Sequence, residues 1–252
     1  MDDYAAFRRL AGTVYVAARS GTVDCQAAFD LAASWLEQRP RDPDATELAA
    51  LSLECAQAHQ PRMAEVALRL LAAMDYRPGF KEEPGWLACL EDAMRLVNRD
   101  VAASGIGRPC ELLVHDEVLD WNANAYVATR DGYTGIAQGV EPAAGADPVR
   151  ALVAVAEDAQ DALMHALFAV WPVCPVHRLG AHAREHEAAA AWWCAGGGGH
   201  PITAIGQWPG RRARSAPRSP TGPDRRRRWR RFRLGVLSSR GALPPRPSES
   251  AR

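Results

Sequence analysis

Two short segments concentrate residues with metal-binding chemistry. Cys174-Pro175-Val176-His177 places a thiol and an imidazole three positions apart, and Cys194-Ala195-Gly196-Gly197-Gly198-Gly199-His200 places a second pair six positions apart. Sixteen residues separate His177 from Cys194. Two ligands with two residues between them can be aimed at one centre by a tight turn. A glycine run lets the second, longer turn curl round the same centre at little steric cost. Four thiolate or imidazole donors arranged tetrahedrally are what Zn²⁺ takes, at about 2.0–2.3 Å. The spacing therefore predicts a zinc site of Cys174, His177, Cys194 and His200. Four protein ligands leave no open position, which makes such a site structural rather than catalytic. The competing reading, two cysteines and two histidines lining a core by chance, has against it that donors paired at ligand spacing are uncommon.

A sharper chemistry is carried by His182-Ala183-Arg184-Glu185-His186, which matches H-x-x-E-H. A metal-dependent hydrolase of that pattern needs His182 and His186 on one helical face and Glu185 as the base for a metal-bound water. Gly180 just upstream, and the position of the segment between the two ligand pairs, make a long helix there unfavourable. His182 and His186 read instead as solvated loop residues or backup ligands. The Gly196–Gly199 run lacks the Lys-Ser/Thr ending of a phosphate loop. His115-Asp116 has no evident nucleophile to complete a triad, and His165 reads as a helix-surface residue. Cys25, Cys55 and Cys89 fall on apolar helical faces and read as small core residues.

The third chemistry is electrostatic. The formal net charge is zero, but residues 209–252 hold 14 of the 30 basic residues and only two acids, Asp224 and Glu249. Residues 1–208 keep 16 basic against 28 acidic residues, a net charge of −12. Within the basic end, Arg225, Arg226, Arg227, Arg228, Trp229, Arg230 and Arg231 alternate charge with aromatic surface. That combination can hold nucleic acid through phosphate contacts and base stacking. Its Arg-, Pro- and Ser-rich composition cannot repay the entropy of ordering and predicts a disordered tail over 209–252. The same composition is what a GC-rich gene yields when read in a shifted frame, which would make the tail no binding element at all.

The elements that must position these residues begin with helices. Phe7, Leu10 and Val14 recur at helical spacing, followed by Phe29, Ala32, Trp35 and Leu36. Thr46 is read as the cap of a third helix bearing Leu48, Leu51 and Cys55, and Pro61 as the opening of a fourth with Met63, Val66, Leu70 and Met74. After Pro78-Gly79, the residues Leu87, Leu90, Met94, Val97 and Val101 form a single apolar stripe. These predict a helical bundle over 1–102. Beyond the Gly- and Ser-containing connector at 103–109, Leu112, Val114 and Val118 alternate as a strand. Asp131-Gly132 between Ala125-Tyr126-Val127 and Tyr133-Thr134-Gly135-Ile136 predicts a hairpin. Asp147-Pro148 caps a long helix through Leu152, Val155, Ala159, Leu163, Ala166 and Val170, expected to stop at Trp171-Pro172. A ribbon pairing Leu179–Arg184 with Ala188–Trp193 would then carry the ligands, with Trp192 or Trp193 covering the site. The fold class is α+β: an N-terminal helical bundle, an α+β domain over 109–208 containing a β-hairpin, a long helix and a zinc-ribbon-like hairpin, and the tail.

The stretch from Leu152 through Trp171-Pro172-Val173-Cys174-Pro175-Val176-His177 to Trp192-Trp193-Cys194 and the glycine turn to His200, closing on Ile205-Gly206-Gln207-Trp208, resembles the C-terminal region of uncharacterised actinobacterial proteins. The resemblance covers the last third of the acidic body. It implies a compact zinc-ribbon-like ending that stops soon after Trp208, and it brings no activity with it.

Met-Asp-Asp-Tyr at the start lacks the charged and apolar regions of a signal peptide. The most apolar long stretch, Ala151–Trp171, is broken by Glu157, Asp158 and Asp161, so no membrane span is expected. A cytoplasmic location is the resulting default, and the six cysteines are read as buried thiols and metal ligands rather than a disulfide framework. The sequence thus points to a non-enzymatic, zinc-stabilised interaction or regulatory protein; it identifies no partner, with a protein as one option, nucleic acid only through a genuine basic tail, and no membrane. Nucleic-acid binding through the basic tail is the alternative, and the metal hydrolase is a third reading.

Overall fold

The computed structural model describes residues 2–114, 124–132 and 138–210. The expectations for His115-Asp116, Val118, Tyr133–Ile136 and the arginine run from Arg225 to Arg231 lie outside the described residues. The described chain is α+β, with six α-helices and two small antiparallel sheets.

Two apolar cores organise it. The first is built by α1 (Asp2–Ser20), α2 (Cys25–Gln38), α3 (Pro43–Glu54) and α4 (Gln60–Ala73). Val14, Leu31, Leu48, Met63, Val66 and Leu70 are fully buried in it. The helix starts are set by short polar side chains that take up otherwise unpaired backbone N–H groups. Asp24 accepts from the amide of Ala27 at 2.8 Å. Asp42 accepts from the amide of Ala45 at 3.0 Å, and Pro43 opens the helix behind it. This corrects the expectation that Thr46 is the cap. Thr46 lies one turn inside α3, where its hydroxyl donates back to the carbonyl of Asp42 at 2.8 Å.

The second core contains α5 (Pro84–Ala103) and α6 (Pro148–Leu167), flanked by both sheets. The predicted stripe of α5 buries Leu90, Met94, Val97 and Val101, and these pack with Val155, Ala159 and Leu163 of α6. Thus α5 belongs to the second core, although its amphipathic pattern continues that of the first four helices. The Asp147 cap is present: one carboxyl oxygen accepts from the amides of Val149 at 2.9 Å and Arg150 at 2.8 Å. The helix ends earlier than its apolar period, at Leu167, because Phe168 adopts left-handed backbone with φ 50°. Ala166 and Val170 are accordingly exposed rather than facing the core.

The first sheet pairs β1 (Cys110–Val114) with β2 (Ala125–Thr129). Asp131 and Gly132 follow β2 in a turn closed by the Gly132 amide on the Thr129 carbonyl at 2.7 Å. The chain then returns so that Val140 and Ala125 exchange backbone hydrogen bonds at 2.6 and 3.0 Å. The second sheet has the order β3 (Ala181–His186), β4 (Ala189–Cys194), β5 (His200–Ala204). A two-residue turn joins β3 to β4, with Glu187 and Ala188 both at positive φ as a twisted hairpin requires. No described helix is long and apolar enough to cross a membrane.

The cysteines correct one expectation. Cys25 and Cys55 are not free core residues: they form a disulfide joining the first residue of α2 to the residue capping the end of α3. The antiparallel pairing of α2 with α3 brings those two ends together, 30 residues apart in sequence. Cys89 is a half-buried thiol and Cys110 a buried one, and burial pushes the Cys110 thiol up to about 11.

Candidate metal centre

The second sheet presents the chemistry at one end. Cys194 closes β4 and His200 opens β5, and the two are register partners across the strand pair. Opposite them lies the loop 173–180, itself closed as a miniature hairpin. Val173 bridges Gly180, the Cys174 amide donates to the Leu179 carbonyl at 2.8 Å, and the Arg178 amide returns to the Cys174 carbonyl at 3.0 Å. Because Ala181 of β3 pairs with Cys194, the two loops meet at the same sheet end.

The four side chains predicted from spacing come together there. One donor atom from each of Cys174, His177, Cys194 and His200 lies within 4.8 Å of the other three. His177 Nδ1 stands 3.9 Å from Cys174 Sγ, 3.5 Å from Cys194 Sγ and 3.2 Å from His200 Nε2. Cys174 Sγ is 3.8 Å from His200 Nε2. Both sulfurs are fully buried, while His177 is exposed and His200 half-buried, so the cluster sits one side chain below the surface. It is the one such group among the described residues.

Each loop prepares its sulfur in the same way. The His177 amide points at Cys174 Sγ across 3.5 Å, and the Gly196 amide points at Cys194 Sγ across 3.3 Å. Backbone N–H groups aimed at sulfur favour the thiolate, the form that binds metal. Burial pushes the Cys174 thiol up, but the amides of His177 and Val176 and the side chains of Cys194 and His177 together bring it down to about 6. The imidazole of His200 is oriented as well. Its Nδ1 lies 3.1 Å from the carbonyl oxygen of Pro201. A carbonyl only accepts, so Nδ1 carries the proton and Nε2 turns its lone pair to the centre, an arrangement typical of metal-binding histidines.

The glycine run has a specific purpose. A Cβ on Gly196 would fall 2.7 Å from His177 Cγ, and one on Gly197 would fall 2.9 Å from His177 Nε2. The backbone is therefore the wall against which the His177 ring lies. Gly197, Gly198 and Gly199 all have positive φ, which tightens the turn from β4 to β5. The run is a strand-to-strand connection, a different context from the strand-to-helix turn of a phosphate loop.

The remaining candidates separate from this centre. His182, Glu185 and His186 lie on β3, not on a helix. Along a strand, residues four apart are about 13 Å apart, so His182 and His186 cannot share an ion as H-x-x-E-H requires. His186 rests instead against Trp193, with ring centroids 5.1 Å apart, and Arg184 lies over the same indole at 5.0 Å. The expected covering tryptophan divides in two. Trp193 is half-buried beside the glycine turn, within reach of Gly199, whereas Trp192 points away into the core.

Sequence reasoning missed what holds Trp192. Its indole Nε1 donates to Asp100 Oδ2 at 2.7 Å, and the same carboxyl group accepts from the amides of Gly206 at 2.7 Å and Trp208 at 2.6 Å. Asp100 is fully buried on α5. Trp171 and Trp208 meet the Trp192 ring edge-on, at 5.3 and 6.3 Å, and Trp171 donates to the Ser104 hydroxyl at 2.9 Å. The available signal was Asp100 itself, a charged residue interrupting an apolar helical stripe, since a buried acid demands donors; the tryptophans that surround it lie far along the chain.

No protein-family model, curated protein or solved structure matches the chain.

Proposed function

We propose that the protein is a non-enzymatic, zinc-stabilised interaction or regulatory module, with Cys174, His177, Cys194 and His200 as the ligands of one Zn²⁺. The observation that carries this reading is the convergence of four donor atoms within 4.8 Å from two loops that each aim a backbone amide at a sulfur. Two sulfur and two imidazole donors match the borderline-soft character of Zn²⁺. A set of four protein donors is closed, so its role is to hold the end of the second sheet together and not to activate a water. An interaction role is supported by the segment leading into the first loop. That segment exposes Leu167, Phe168 and Val170, and the loop itself exposes Val176 and Leu179, with Phe168 at 96% and Val176 at 72% of full exposure. Five exposed apolar residues within thirteen positions of sequence are what a contact segment presents.

The test is metal content. Protein purified without chelator should carry about one zinc per chain, and a Cys174→Ser, Cys194→Ser variant should carry none and melt at lower temperature. Metal-free wild-type protein with an undiminished melting temperature would overturn the reading.

A further inference from the structure

Resting on that reading, we infer that Cys174 and Cys194 form a redox-labile pair: a peroxide oxidises the two ligand sulfurs to a disulfide, and the zinc leaves. The chain sorts its six cysteines unevenly. Cys25 and Cys55 are joined, Cys89 and Cys110 stand alone, and Cys174 and Cys194 are free thiols within 4.8 Å of each other. Two sulfurs at that separation have only about 2–3 Å to close to reach a disulfide bond of about 2.05 Å. With zinc bound, each thiolate would be engaged with the ion, and that engagement would keep the pair from closing.

The architecture gives an oxidant a way in. The sulfurs are fully buried, but the side of the cluster facing solvent is made of imidazoles, with His177 exposed and His200 half-buried. The loop beside them, Gly196–Gly199, carries no side chain to cover the ion. Displacement of one imidazole uncovers a sulfur. The balance is simple. Two zinc-bound thiolates give up two electrons and form one S–S bond. One hydroperoxide takes those electrons with two protons, its O–O bond breaks, and an alcohol and water result (water alone for hydrogen peroxide). Zn²⁺ is released with its charge unchanged. A dithiol reductant reverses the step and restores the ligand set.

The experiment uses the full-length zinc-loaded protein, with metal content measured first. Hydrogen peroxide is then added, released zinc is read with a chromogenic chelator, and cysteine pairing is read by mass spectrometry of non-reduced peptides. The expected result is release of about one zinc per chain together with a new Cys174–Cys194 linkage, both reversed by dithiothreitol and added zinc. A Cys89→Ser, Cys110→Ser variant should behave identically. Zinc retained under peroxide, or released with the two sulfurs recovered as sulfinic acids or linked to Cys89 or Cys110, would overturn the proposal while leaving the zinc reading intact. Protein that carries no zinc before oxidant is added would overturn both.

Discussion

The indole of Trp192 and the carboxyl group of Asp100 meet at 2.7 Å, 92 residues apart in sequence, with neither residue exposed to solvent. The carboxyl group collects two further backbone donors from Gly206 and Trp208, so one side chain of α5 fixes both β4 and the segment that follows β5. Asp100→Ala leaves three N–H groups without an acceptor, the buried indole of Trp192 and the half-buried amides of Gly206 and Trp208. It should lower stability by about 4 kcal/mol, and Asp100→Asn, which keeps one acceptor oxygen, by about half as much. Urea unfolding followed by tryptophan fluorescence measures both. A loss below about 1 kcal/mol for the alanine variant would show that the clamp contributes no more than a surface hydrogen bond.

Loss of one sulfur should remove the metal. Cys194→Ser is expected to abolish zinc retention and to lower the melting temperature by roughly 10 °C, since metal bound only by the folded chain adds its binding energy to folding. His182→Ala and His186→Ala should retain full metal content, because β3 carries those rings away from the centre. Metal loss in either histidine variant would contradict the assignment of ligands.

Two glycines separate steric from backbone effects. Gly196 has ordinary backbone but no room, with a Cβ 2.7 Å from His177 Cγ; Gly198 has room but a φ of +91°. Gly196→Ala should push His177 off position and weaken zinc affinity by roughly tenfold or more. Gly198→Ala should cost about 1–2 kcal/mol of stability with affinity little changed. Competition with a zinc chelator and thermal melts together distinguish the two, and equal loss of affinity in both variants would refute the distinction.

The Cys25–Cys55 disulfide constrains a 30-residue span of the unfolded chain. In the chain-entropy description such a closure contributes about 3–4 kcal/mol. Cys25→Ser, Cys55→Ser protein should unfold at correspondingly lower denaturant, with zinc content unchanged. Identical midpoints with and without the bond would argue that the paired α2 and α3 are already fixed by packing.

Asp158 supplies a pH dependence of defined sign. Burial pushes its carboxyl up to about 6, the neighbouring Asp161 adds to the rise, and the Val127 amide, 2.6 Å away, opposes it. Between the ordinary carboxyl value near 4 and about 6, the folded chain holds the proton more tightly than the unfolded chain. This group's contribution is therefore fully present below about pH 4 and is lost as pH rises through about 6. Asp158→Asn should raise stability at pH 7 by on the order of 2 kcal/mol relative to its effect at pH 4. Parallel stability–pH curves for wild type and variant over pH 4–7 would rule this out.

Where local chemistry decided the outcome, the sequence was sufficient. The stripe Leu90, Met94, Val97 and Val101 is a core face, Asp147-Pro148 opens α6, and Cys174, His177, Cys194 and His200 converge. Their spacing expresses constraints within a few residues. Other features depend on partners far along the chain. Asp100 looks like an interruption of its stripe until Trp192 and Trp208 are folded against it. Cys25 and Cys55 are ordinary helical positions until α2 and α3 pair. The ribbon expected to pair Leu179–Arg184 with Ala188–Trp193 forms as β3 and β4, shifted by one or two residues, although Ala181–His186 contains no β-branched residue. The apolar period of α6 runs on to Val170 because Phe168 and Val170 are apolar at the surface, which a core-facing pattern cannot distinguish.

The placement of the Asp100 clamp also governs the order in which the chain can mature as it is synthesised. Every buried residue of the first core lies before residue 72, so that core can close while the rest of the chain is still on the ribosome. The second cannot. Asp100 emerges early as a bare acid in an apolar stripe and stays without donors until translation has passed Trp192, Gly206 and Trp208. Until then the apolar stripe of α5 lacks part of the cover that it has in the folded chain, which leaves it open to chaperones and to aggregation.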